Sequence, residues 1–269
     1  MILSNLHTHT VYCDGINTPA EMAAEAAKLG FKSLGFSGHA YTPFDNGFCM
    51  SIENTEKYIS EISELKKEYE GQMSIFTGLE YDLYSEYDTS LCDYVIGSVH
   101  YIKKDGAYLP ADESAQKTEA VINEYFGGSG IAYAAAYFKE AARLRDLDCD
   151  IVGHFDLVSK FCEQSSLFDT ESEKYKSAAL DALHIAAEKK KIFELNTGAM
   201  ARGFRRAPYP ADFLIKEIHE LGCEIIITSD CHDSRKLTYA FPEAAALLKA
   251  CGFDHALALT EKGFEEYGI

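Results

Sequence analysis

Short apolar runs recur along this chain, and each stops at a polar residue that binds metals or turns the backbone. The runs at 2–6, 33–36, 75–79 and 94–99 lead into His7-Thr8-His9, Ser37-Gly38-His39, Glu80 and His100. Those at 151–153, 192–195 and 225–228 lead into His154, Asn196-Thr197-Gly198 and Ser229-Asp230-Cys231-His232. These runs read as strands, and between them lie helical patterns with recognisable ends. Thr18-Pro19-Ala20-Glu21 is a capping box with proline at the first helical position, and its helix ends before Gly30. Thr170-Glu171-Ser172-Glu173 repeats that spacing ahead of an Ala/Leu-rich helix to about Lys190, and Pro210 opens another helix that closes near Gly222. Strand and helix alternating in this way predict a parallel (β/α) barrel with right-handed crossovers. The segment 112–148 reads as two helices broken by Gly127-Gly128-Ser129-Gly130. As an insertion between the His100 and His154 strands it could serve as a helical lid or as a plain connection.

In a parallel barrel the carboxyl ends of the strands converge on one face, so residues far apart in sequence meet around one pocket. Six of the nine histidines sit at those ends. His7 and His9, two apart on a strand, point the same way and can chelate one ion. With Asp14, His39, Glu80, His100, His154, Asp230 and His232 they make nine imidazole or carboxylate donors from six strand ends. Zinc usually takes about four ligands, so nine imply several ions.

Length and composition narrow the class. At 269 residues with 47% hydrophobic content, and with no linker, repeat or low-complexity stretch, the chain suits a single α/β domain. The first residues read as a strand and not as a signal peptide, and no apolar stretch approaches the roughly 20 residues of a bilayer span. The expected compartment is the cytoplasm, with no membrane partner. Eight cysteines without CxxC pairing fit free thiols in a reducing environment. A net charge of −18 argues against a nucleic-acid partner, which requires basic patches. Most of the acidity falls in helix-like segments such as 53–70 and 169–188, where it reads as a solvated face. Nothing in the pattern specifies an oligomeric state.

His-x-His-x-x-x-x-Asp-Gly at 7–15, Ser37-Gly38-His39, Gly78-Leu79-Glu80, Gly97-Ser98-Val99-His100, Gly153-His154-Phe155-Asp156 and Ser229-Asp230-Cys231-His232 together resemble the PHP (polymerase and histidinol phosphatase) superfamily. Segments 93–100 and 194–210 resemble its stand-alone histidinol-phosphatase branch. The resemblance implies a distorted (β/α)7 TIM-like barrel with a trinuclear site that hydrolyses L-histidinol phosphate in histidine biosynthesis. It also implies three divalent ions (Zn, Mn or Fe). One would be held by His7, His9, Glu80 and Asp230, a second by Glu80, His100 and His154, and a third by Asp14, His39 and His232. Glu80 would bridge two ions, clamping a hydroxide and a phosphoryl oxygen together.

A charge count points to phosphate independently. Three divalent ions against Asp14, Glu80 and Asp230 leave roughly three positive charges, which a bridging hydroxide lowers by one and a phosphomonoester dianion suits. Arg202, Arg205 and Arg206 lie just beyond the 192–195 strand, on the same expected face, and guanidinium forks bind phosphate bidentately. The sequence does not separate Arg202 from Arg206 as the phosphate contact, and the alternative for the whole cluster is a solvated basic loop. Arg206 is the expected catalytic arginine, with Asp230 and His232 nearest in sequence to the protonation of a leaving alkoxide. Asp156, Glu113, Tyr41 and Phe44 are loose candidates for the rest of the substrate, and Asp156 and Asp233 for acceptors that orient imidazoles. Other readings are a phosphatase for another small phosphoester and a non-catalytic metal-binding regulatory protein; the acidic charge disfavours a proofreading exonuclease.

Overall fold

The computed structural model describes residues 4–45 and 47–269. In chain order the elements are β1 (Ser4–Asn5), α1 (Pro19–Leu29), β2 (Ser33–Phe36), α2 (Ile52–Glu68), β3 (Ser74–Asp82), β4 (Tyr94–Ser98), β5 (Tyr101–Lys104) and β6 (Ala107–Pro110). There follow α3 (Ala115–Tyr125), α4 (Gly130–Ala142), β7 (Ile151–Val152), α5 (Glu173–Ala187), β8 (Ile192–Asn196), α6 (Gly198–Ala201) and α7 (Asp212–Glu220). The chain closes with β9 (Glu224–Thr228), α8 (Phe241–Ala250), β10 (His255–Thr260) and β11 (Gly263–Gly268). The start of the expected 2–6 strand, residues 2 and 3, lies outside the described residues.

The main sheet runs β1-β2-β3-β4-β7-β8-β9-β10-β11. Every neighbouring pair is parallel except β10 with β11. It curls until the residues beyond β1 meet those beyond β9. Thr8 bridges Cys231, the His9 N–H donates to Cys231 O at 2.8 Å and the Cys231 N–H to His7 O at 3.1 Å. The β10–β11 hairpin joins β9 through one register pair, Leu257 opposite Ile226. A mixed α/β fold with a curled parallel sheet therefore stands where the alternation of runs predicted one.

Local signals explain much of this. Thr18 accepts from the Glu21 N–H at 3.2 Å while Glu21 accepts from the Thr18 N–H at 2.9 Å, and Gly30 ends the helix in the left-handed region at φ 81°. The second predicted capping box is displaced. Ser172, not Thr170, caps α5, because Asp169 and Ser172 form a turn of their own before the Ser172 Oγ accepts from the Tyr175 N–H. The helix predicted from Pro210 begins at Asp212.

Inside the curl, Leu6, Tyr94, Ile96, Ile151, Ile226 and Leu259 form a buried apolar plug. Tyr94 sets its centre, with Oη 2.5 Å from Leu6 O and 3.1 Å from Phe36 O. Its ring requires glycine on two neighbouring strands. A Cβ on Gly35 would fall 2.3 Å from the Tyr94 Oη, and one on Gly78 2.3 Å from its Cζ. The plug supports the polar layer at the strand ends.

The segment 112–148 contains the two expected helices, divided at 126–129. Tyr133, Ala134, Tyr137, Phe138 and Ala141 are buried in the main core cluster, which makes α4 a packed layer of the fold and not a cover for the pocket. Only Asp112 and Glu113, at the start of the segment, reach the cavity described below. The β5–β6 hairpin was not anticipated, although Asp105-Gly106, both at positive φ (51° and 82°), carries the signature of a two-residue hairpin turn.

Candidate metal centre

All nine donors read from the strand ends converge. His7 and His9 follow β1, Asp14 extends from the same loop and His39 follows β2. Glu80 lies on β3, His100 follows β4, His154 follows β7, and Asp230 and His232 follow β9. Four sets of their ligand atoms lie within metal-binding reach of one another: His9, Asp14, His39 and His232; His7, His9 and Asp230; His7, Glu80 and His154; and His39, Glu80 and His100. These sets regroup the expected ones. His9 joins Asp14, His39 and His232, while Glu80 is shared between His154 with His7 and His100 with His39.

Glu80 is the hub, 1% exposed. Its carboxylate oxygens lie 2.8 Å from His154 Nε2, 2.9 Å from His39 Nδ1, and 3.3 Å from both His7 Nε2 and His100 Nε2. Burial opposes its charge, yet attraction from His7, His39 and His100 holds it well below the usual carboxylate range. Burial likewise opposes charge on Asp230, and attraction from Arg202 and His7 holds it low. Burial alone would depress His7 and His100; the carboxylates around them, Glu194 first for His7 and Glu80 first for His100, raise both. His9 goes the other way, to about 3, because burial and the neighbouring His232 and His39 disfavour another cation.

The donors fit metal ions on one observation in particular. His7 Nε2, His9 Nε2 and Asp14 Oδ1 are buried and have no hydrogen-bond partner among the described residues. His9 Nε2 lies 3.1 Å from Asp230 Oδ1 but out of hydrogen-bond alignment. Each such orphan costs about 1–3 kcal/mol, and cations among them would satisfy all three. The donor set is imidazole and carboxylate. Cys13, whose Sγ is 3.6 Å from His9 Nδ1, has its thiol pushed up to about 12 by burial and by Asp14, and Cys231 donates to Asp233 O.

The three arginines separate. Arg202 reaches the centre: Nη2 donates to Asp230 Oδ2 at 2.9 Å and Nη1 lies 3.0 Å from His232 Nδ1. Arg205 turns away into the protein, donating to Ser159 Oγ at 2.7 Å, 3.5 Å from Asp156 and over the Tyr209 ring. Arg206 is 97% exposed, with Glu163 as its ion-pair partner. The expectation that Arg206 is catalytic, and that Arg205 and Arg206 meet phosphate, is therefore corrected. The loop turns at Gly203, φ 76°, so consecutive side chains leave in different directions. Asp156 pairs with Arg205 and Asp233 with Arg235, so neither orients an imidazole. Phe44 stacks on Tyr108, 3.9 Å between ring centroids.

Beside the centre opens a cavity of about 210 Å³, reached by Arg202, Lys160, Asp112, Glu113, Asp45 and Phe48. Lys160, which the sequence reading passed over, donates at 3.0 Å to Asp112 Oδ2 and to its carbonyl. Two buried carboxylates behind the ligands were missed as well. Asp82 accepts from the His100 N–H at 2.7 Å, and Glu194 lies 2.6 Å from His7 Nδ1. Glu194 offered a signal, an acid inside the apolar run 192–195, and Asp82 a fainter one, an acid between Tyr81 and Leu83.

A family model described as PHP domain matches residues 5–198. The chain belongs to the PHP domain family. The histidinol-phosphatase of Bacillus subtilis is 30% identical over 91% of this chain and 98% of its own length. The histidinol-phosphatase of Lactococcus lactis is 25% identical over 94% of this chain and 92% of its own. A crystal structure of histidinol phosphate phosphatase from Lactococcus lactis, complexed with zinc, L-histidinol and phosphate, superposes with a TM-score of 0.74 at 18% identity. It covers 97% of this chain and 98% of that one, a likeness of fold. No described helix is long and apolar enough to cross a membrane.

Proposed function

We propose that this chain is a metal-dependent phosphomonoesterase that hydrolyses L-histidinol phosphate to L-histidinol and phosphate. The observation that carries the proposal is the convergence of nine imidazole and carboxylate donors, four of them with an orphaned buried atom, beside a guanidinium fork that opens on the cavity. The names of the relatives supply the substrate. We further read the seven parallel strands β1 to β4 and β7 to β9, joined at Thr8 and Cys231, as the distorted (β/α)7 barrel, with β10 and β11 appended. As a biosynthetic enzyme it belongs in the cytoplasm.

His7, His9, Asp14, His39, Glu80, His100, His154, Asp230 and His232 would hold Zn, Mn or Fe, three ions on this reading. When bound, the ions would supply Lewis acidity for a phosphoryl oxygen and lower the pKa of water. Arg202 aims its guanidinium at the cavity from a fixed position, since its Nη2 donates to Asp230 Oδ2 at 2.9 Å. A positive charge fixed in advance stabilises the equatorial oxygens of a transferring phosphoryl group without reorganising. Asp230 thereby holds Arg202 and would also hold metal, and His232, 3.1 Å from Asp14 Oδ2, would be committed to the centre. Asp45 and Glu113 line the cavity and pair with no basic side chain among the described residues, so they are available to the ammonium and imidazole of the substrate.

The test is phosphate release from L-histidinol phosphate beside a panel of nucleoside and sugar phosphates, with the protein zinc-loaded or chelated. Release should be fastest from histidinol phosphate and cease on chelation. Turnover that survives chelation, or no release from histidinol phosphate by the zinc-loaded protein, overturns the proposal.

A further inference from the structure

Glu194 belongs to none of the ligand sets, yet it touches two of the strand ends that build them. It lies on β8, where Glu194 and Asn196 share the inner face and Phe193 and Leu195 pack outward in the core. Its carboxylate is 1% exposed and no lysine or arginine pairs with it among the described residues. Oε2 lies 2.6 Å from His7 Nδ1, and Oε1 accepts from the His154 backbone N–H at 3.2 Å and from Asn196 Nδ2. One carboxylate thus ties β8 to the ends of β1 and β7.

We propose that Glu194 is a positioning residue that fixes the His7 tautomer and holds His7 and His154 in register for metal binding. This rests on the metal-centre reading above. Accepting from Nδ1–H leaves the lone pair of His7 on Nε2, the buried nitrogen that has no hydrogen-bond partner and faces Glu80 and Asp230. The opposite tautomer would place a proton where a ligand lone pair is required. The contact to the His154 N–H acts on the second histidine through its backbone, so two of the four imidazoles around Glu80 are set by one group.

The geometry selects an informative substitution. Glu194→Gln conserves shape but has one acceptor oxygen where the native side chain uses two. With its NH₂ toward His7, the imidazole must accept at Nδ1 and carry its proton on Nε2. With its NH₂ toward His154, it opposes two donors, the His154 N–H and the Asn196 amide. Either orientation disturbs a ligand while leaving the core packing in place.

The experiment titrates zinc into the metal-free wild type and into Glu194→Gln against a chromophoric chelator, with thermal unfolding of both metal-free proteins measured in parallel. Loss of an outer carboxylate behind a histidine ligand weakens binding about 10- to 100-fold. That weakening is expected here, with metal-free melting close to wild type and activity recovered in excess zinc. Zinc binding as tight as wild type overturns the role of Glu194, and so does weakened binding matched by an equal loss of metal-free stability. A wild type that takes up no zinc sinks the metal-centre reading itself, an outcome the titration separates from the other two.

Discussion

Arg202, Arg205 and Arg206 stand within five positions of one loop, and replacing each by alanine should give three different results. Arg202→Ala removes the only guanidinium among the described residues that reaches both the cavity and two proposed ligands. Losing one fixed donor to developing charge costs about 100- to 1,000-fold in kcat, about 2.7–4 kcal/mol, so a loss of that order in phosphate release is expected. Arg205→Ala should act on stability. Its side chain is 8% exposed and faces Asp156, which would be left buried with the Ala211 N–H at 3.2 Å and the Ser159 Oγ at 3.5 Å as its remaining donors. Breaking a buried ion pair from one side costs about 3–5 kcal/mol. At about 2–4 °C per kcal/mol that lowers Tm by about 6–20 °C, and removing both charges, as Arg205→Met with Asp156→Leu, should recover most of it. Arg206→Ala, at 97% exposure, should change neither. Steady-state phosphate release, metal content and differential scanning calorimetry on the three variants make the assay. An Arg202→Ala enzyme of full kcat/KM, or an Arg206→Ala enzyme that loses activity with its metals in place, would refute the assignment.

Chelation should lower Tm as well as abolish turnover, because each independently bound ion at a hundredfold excess over its Kd stabilises the fold by about 2.7 kcal/mol; equal melting with and without chelator would tell against the centre. Gly78→Ala should destabilise by about 1–3 kcal/mol through overpacking, since its Cβ would fall 2.3 Å from the Tyr94 ring. Its urea midpoint is the measure, and an unchanged midpoint would remove Tyr94 as the rigid centre of the plug. Thr18→Ala should cost about 1 kcal/mol through the lost N-cap without altering turnover, as its helix supplies no cavity residue.

The positions legible beforehand were those where a local rule and a global one coincide. An apolar run that stops at histidine reports a strand and its mouth together, and the order of such stops along the chain brought His7 through His232 to one face. Thr18, Pro19, Glu21 and Gly30 could be placed because capping chemistry is decided within one turn of helix. Where several local solutions compete, the sequence was ambiguous. Thr170 stands three residues before Glu173, as a capping box requires, whereas Ser172 stands three before Tyr175, and only the Asp169 turn selects Ser172. Asp105-Gly106 was readable as a hairpin but lay between stronger signals.

By itself, then, the sequence determined the curled parallel α/β fold, the family and the membership of the donor cluster, because side-chain period and strand order are properties of the chain. The tertiary structure decided which donors share an ion-sized space, which arginine faces the cavity and which buried acids stand behind the histidines. Those depend on the direction a side chain takes from a loop and on contacts between strands far apart in sequence. Arg202 and Arg206 are alike in type and nearly adjacent, and a left-handed turn at Gly203 between them leaves one beside Asp230 in the donor cluster and the other in solvent.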